Sequence, residues 1–76
     1  MQITRAEAIC QEFCSEVSAS RVLSGTLEDL KETDEIRCEL EMEFFPELCI
    51  RMLDLGYRCQ QVQKDQKNNR CIAWFI

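Results

Sequence analysis

Ile36-Arg37-Cys38-Glu39-Leu40-Glu41-Met42-Glu43-Phe44 alternates apolar and charged side chains over nine residues without a break. Side chains two apart share a face of an extended chain. A strand here therefore has a dry face of Ile36, Cys38, Leu40, Met42 and Phe44, and a wet face bearing Glu39, Glu41 and Glu43. Glu, Leu and Met also favour helices. A helix would align Ile36, Leu40 and Phe44 and set Arg37 beside Glu41. The unbroken alternation, and Pro46 close behind it, favour the strand.

Downstream, Pro46 suits the first position of a helix, where its missing N–H costs nothing, and Glu47 suits the positive end of the dipole. Leu48, Cys49, Ile50, Met52, Leu53 and Leu55 leave a narrow polar stripe of Glu47, Arg51 and Asp54, so this helix is expected to be buried on most sides. Gly56 fits the left-handed position that ends a helix. Tyr57 to Asp65 reads as a strand with Tyr57, Cys59 and Val62 apolar. Asp65 to Asn69 reads as a turn. Arg70 to Ile76 is apolar on both faces, with Cys71, Ala73 and Phe75 opposed to Ile72, Trp74 and Ile76, the pattern of a central strand.

Upstream, Thr4-Arg5-Ala6-Glu7 is a capping-box pattern. Ala6, Ile9, Cys10, Phe13, Cys14 and Val17 follow at helical spacing, predicting a helix that fades near Ser18 to Ser20. Residues 20 to 29 allow a strand with Gly25 at a bulge or bend, or a short helix from Leu27 to Glu32 capped by Thr26. Lys31 to Glu35 then reads as a turn. The resulting fold class is α+β, ordered αββαββ. A four-stranded antiparallel sheet carries both helices on one face, in a single domain over residues 1–76. Ile36-Arg37-Cys38 and Asn69-Arg70-Cys71 are each expected to begin the second strand of a hairpin, and Cys14 and Cys49 to lie in the preceding helix, a faint internal echo.

With both helices on one side, Ile72, Trp74 and Ile76 face the other. An uncovered apolar face usually marks an interface, so these three are the expected homodimer contact. Folding of residues 20–35 over them is the alternative.

Nine acids stand between Glu28 and Glu47 against Lys31 and Arg37, a block of −7 in a chain of −5. Such a block repels phosphate backbones, which argues against direct nucleic-acid binding, and suits a basic surface on a protein partner. Glu28, Asp29, Glu32, Glu39, Glu41 and Glu43 are the candidate partner-binding residues. A solvated acidic face that keeps a small protein soluble is the plainer alternative. Lys64, Lys67 and Arg70 near the last turn read as a solvated tip or a minor anion contact.

There is no histidine, no nucleophile elbow, no P-loop and no dinucleotide fingerprint, so no catalytic residues are assigned. The carboxylates at about 7 Å spacing along one strand face would stand in open water, a poor setting for catalysis. Six cysteines allow a disulfide framework, but they sit inside periodic segments, mostly at apolar positions, and read as reduced core thiols. Cys10 and Cys14 share a helix face. A zinc site there would need Cys38, Cys49, Cys59 or Cys71 to converge on them. No cofactor or metal is assigned. No apolar run is long enough to span a membrane, and the start, MQITRAEAICQEF, lacks the features of a signal peptide, so a cytoplasmic location is expected.

Leu53-Asp54-Leu55-Gly56-Tyr57, a helix stop running into a C-terminal hairpin over about the last thirty residues, resembles the tail of small phage and prophage accessory proteins. Some of these inhibit bacterial defence systems, and several such inhibitors are acidic. The resemblance implies a small non-enzymatic binding protein and no catalytic residues. The expected function is thus inhibition or modulation of a protein partner through a carboxylate-rich surface. A dimeric nucleotide sponge or sensor, with a pocket near Trp74, Tyr57 and Arg70, is a second reading. A metal- or disulfide-stapled interaction module is a third.

Overall fold

A computed structural model describes residues 4–76, and of Ser24 the backbone alone. Residues 1–3, where the stretch read for a signal peptide begins, lie outside the described residues. The elements are α1 (Arg5–Phe13), β1 (Cys14–Thr26), β2 (Asp29–Glu41), a 3₁₀ turn (Met42–Phe44), α2 (Phe45–Asp54), β3 (Cys59–Asp65) and β4 (Arg70–Phe75). The four strands form one antiparallel sheet in the order β1-β2-β4-β3. The expected α+β architecture is present, with the central place of the last strand.

Thr4 caps α1: its hydroxyl accepts from the Glu7 N–H at 3.2 Å and donates to the Glu7 carboxylate at 3.3 Å. α1 ends at Phe13, not near Ser18. Cys14 is already extended at φ −115° and ψ 146°, while its N–H still bonds the Cys10 carbonyl. Cys14 and Val17 nevertheless share a face, as their spacing demanded. Cys14 lies opposite Leu40 and Val17 opposite Cys38, and a β-bulge between Cys14 and Glu16 absorbs the odd residue. A bulge between Cys59 and Gln61 does the same in β3, putting Cys59 opposite Phe75 and Val62 opposite Ala73.

The first hairpin differs most from expectation. Lys31 to Glu35 is strand, the turn is Leu27-Glu28, and no helix spans Leu27 to Glu32. Arg21 reaches across to Glu32 at 3.6 Å and Asp34 at 3.5 Å. Those cross-strand pairs let an acid-rich segment lie extended. At the other end β2 stops at Glu41, so the alternation is strand through Leu40, and Met42 and Phe44 leave it on the 3₁₀ turn. Of the supposed echo, Arg70-Cys71 does open β4, but Ile36 falls mid-strand and Cys14 belongs to a strand.

The core is one layer between the helices and the sheet. Ala6 and Cys10 of α1 and Leu48 and Met52 of α2 pack on Ile36, Cys38 and Leu40 of β2 and Cys71, Ala73 and Phe75 of β4. Pro46 lies in the first turn of α2. Its C-terminus closes as a Schellman motif: Gly56, at φ 89°, donates to Leu53 at 2.9 Å, and Tyr57 donates to Met52 at 3.0 Å. α2 is less buried than its composition implies, since Ile50 is 64% and Leu53 58% exposed. One helix on a sheet buries one face only, so a nearly all-apolar helix leaves its outer apolar residues in water.

Candidate partner-binding surface

β4 pairs with β2 only as far as Ile36, opposite Phe75. Beyond that point β1 and β2 continue as a two-stranded arm, residues 20–35, turning at Leu27-Glu28. At about 3.4 Å per residue the arm extends roughly 20 Å, and the long axis of the molecule is 41 Å against 27 and 21 Å. None of its described side chains belongs to the buried core. The arm carries Glu28, Asp29, Glu32, Asp34 and Glu35 against Arg21 and Lys31. It also holds three exposed leucines: Leu23 at 70%, Leu27 at 95% and Leu30 at 51%.

The fold divides the six expected acidic residues. Glu28 stands at the arm's turn, with Asp29 and Glu32 on its second strand. Glu39 and Glu41 lie on the sheet face away from the helices, opposite Ile72 and Arg70 in register. Glu43 is off the strand on the 3₁₀ turn, so the three-carboxylate ladder does not form. Glu39 pairs with Arg37 at 3.8 Å. A second chain of contacts runs from the Arg70 guanidinium, which donates to the Ser15 hydroxyl, and on to the Glu39 carbonyl, where Ser15 donates at 3.2 Å.

Ile72, Trp74 and Ile76 do share the face away from the helices, and each is half-buried. The Arg37 guanidinium sits 5.9 Å from the Trp74 ring centre, and on β3 Gln61 lies opposite Trp74 and Gln63 opposite Ile72. Tyr57 is on the other side, packed against the core, so it does not join Trp74 and Arg70 in a pocket within one chain. It instead borders an open cleft of about 360 Å³ at the root of the arm, with Thr4, Glu7, Arg21 and Asp34. Burial and the nearby Asp34 and Glu7 carboxylates push its phenol upward.

All six cysteines are free thiols: Cys10, Cys38 and Cys71 buried, Cys14 and Cys49 half-buried, Cys59 exposed. Cys38 meets both Cys10 and Cys14. Its hydrogen bonds hold the Cys38 thiol protonated and its pKa high, while the one to Cys14 lowers the pKa there. Cys10 also donates to the Met52 sulfur at 3.6 Å. Among the described residues no group of three or more Cys, Asp or Glu side chains is arranged to hold a metal ion. No described helix is long and apolar enough to cross a membrane.

Sequence reasoning missed Leu23, Leu30, Asp34 and Glu35 as surface-forming residues. Leu23, Leu27 and Leu30 stand four and three apart, a spacing that also suits a helical stripe, and only the pairing of β1 with β2 leaves them exposed on an extended arm. No family model matches the chain, and neither does any curated protein or solved structure.

Proposed function

We propose that the chain is a non-enzymatic binding module that inhibits or modulates a protein partner by laying its acidic, leucine-tipped arm on that partner's basic surface. The observation that carries this reading is the arm itself. Folding gains no core burial from the described side chains of residues 20–35, and an isolated two-stranded hairpin is marginal in water, so the arm's length and exposed leucines fit a role outside the fold. Carboxylates around an apolar tip match a groove with an apolar floor and a cationic rim. A groove that otherwise holds nucleic acid has such a rim, and occupying it would inhibit its owner. The tail resemblance to phage accessory proteins and the six free thiols are in keeping with a cytoplasmic inhibitor.

The test replaces Leu27 with a photo-crosslinking residue and compares three chains: wild type, the arm triple reversal Glu28→Lys, Asp29→Lys, Glu32→Lys, and the sheet double reversal Glu39→Lys, Glu41→Lys. The expected result is a crosslinked protein that is lost with rising salt and with the arm reversal, and kept with the sheet reversal. Crosslinking that survives the arm reversal would sink the proposal. Loss with the sheet reversal alone would move the contact to Glu39 and Glu41.

A further inference from the structure

The strand order leaves two outer edges, and they differ. β3 is seven residues long, bulged between Cys59 and Gln61, and ends in Lys64 and Asp65. Bulges and charges are the usual protection of an edge against pairing. β1 is thirteen residues long, and after its own bulge at the very start, between Cys14 and Glu16, it runs in unbroken register from Glu16 to Thr26. It contains neither lysine nor proline, and its one acid and one base, Glu16 and Arg21, cancel. Ser15, Ser18, Ala19 and Ser20 are small and exposed, Ala19 even though it faces the helix side opposite Ile36, so α1 does not roof this stretch.

We infer that β1 is a self-association site, at which the β1 edges of two copies pair antiparallel about a two-fold axis and join two sheets into one. Such a contact is isologous, each copy using the same strand. Charge selects both the edge and the occupant. Within the arm, the competing edge, Asp29 to Glu35, bears four carboxylates and one lysine in seven residues and repels another acidic strand. β1 is the long neutral stretch of a chain of net charge −5. A second acidic copy meets least repulsion there, whereas a cationic partner finds no row of carboxylates to recognise. The outward N–H and C=O groups of β1 gain partners, and the small side chains let the two backbones approach.

Sedimentation and light scattering from micromolar to near-millimolar chain test this, with twice the 9.0 kDa chain mass expected at the upper end. Ser20→Lys sits opposite Glu35 and Ser18→Glu opposite Arg37, so each gains a partner within its own hairpin. Each also puts a charge on the otherwise neutral edge of both copies and is expected to weaken the dimer about tenfold or more. Gln63→Lys on β3 is expected to leave it unchanged. Amides of Glu16 to Thr26 that point away from β2 should exchange more slowly as concentration rises. A dimer that withstands both β1 changes but dissociates with Ile72→Lys places the contact on the face of Ile72, Trp74 and Ile76 and overturns the inference. So does a chain that stays monomeric throughout, which leaves β1 to an extended segment of another protein.

Discussion

Gly25 and Gly56 both have positive φ, 109° and 89°, yet substitution tests different things at each. A Cβ on Gly56 meets nothing within 4 Å, so Gly56→Ala carries only the left-handed strain of an L residue, about 1–2 kcal/mol by denaturant titration. A Cβ on Gly25 would fall 2.3 Å from the Asp29 carbonyl oxygen. Gly25→Ala is therefore expected to open the arm's end, seen as fast amide exchange around Thr26 and Asp29, with little change in global stability. The thiols offer a second residue-scale test. Burial, and then charge repulsion from Cys59, push Cys49 from 9.0 up to about 11, while hydrogen bonding from Cys38 lowers Cys14. Both are half-buried, so Cys14 should be alkylated well ahead of Cys49 near neutral pH, as read by mass mapping. A thiol whose folded pKa is raised holds its proton more tightly in the folded state. Its stabilisation is complete below pH 9.0 and is lost as pH rises through about 11. Cys49→Ala should make the alkaline fall in stability shallower.

At the scale of elements, the caps and the central strands were legible because their signals are local. Thr4 and Glu7, Pro46, and Gly56 each act within one turn of chain. Thr4→Ala is expected to cost about 1 kcal/mol in chemical denaturation. Ile36, Cys38 and Leu40 alternate because one helix layer covers one side of β2. The errors arose where two geometries share a spacing. Cys14 and Val17, three apart, fit a helix and equally a bulged strand, and only pairing with β2 selects the latter. Residues 31–35 look like a turn by polarity, but Arg21 lies across the hairpin, an interaction invisible from β2 alone. The candidate site suffered from the same blindness. Glu39, Glu41 and Glu43 align only if the strand runs on to Phe44, and it ends at Glu41. The division of acids between arm and sheet follows from where β4 ends, which no local pattern encodes.

At the scale of the molecule, arm and body are separable. Ala19 and Ile36 are register partners, so a two-residue Asn-Gly turn could join them in place of residues 20–35. Because the described side chains of those residues supply nothing to the buried core, the shortened chain should fold and melt within about 4–8 °C of the full one, a shift of about 1 kcal/mol. It should have lost partner crosslinking and the arm's share of the β1 edge. Loss of folding would show that the arm supports the body. By contrast, Phe75→Ala, at the floor of the core, is expected to cost about 3–5 kcal/mol, enough to unfold much of a domain this small.

The strand order also bears on how the chain reaches its fold. β1 with β2, and β3 with β4, are neighbours in sequence, and such hairpins close in microseconds. The β2–β4 seam must unite Glu41 with Arg70 and Ile36 with Phe75 across the whole of α2 and β3, and the entropy of that closure falls late and slows the search. Substitutions along the seam, such as Ala73→Gly, should retard refolding in stopped-flow experiments, while truncations in the arm, such as Val22→Ala, should leave the refolding rate where it was.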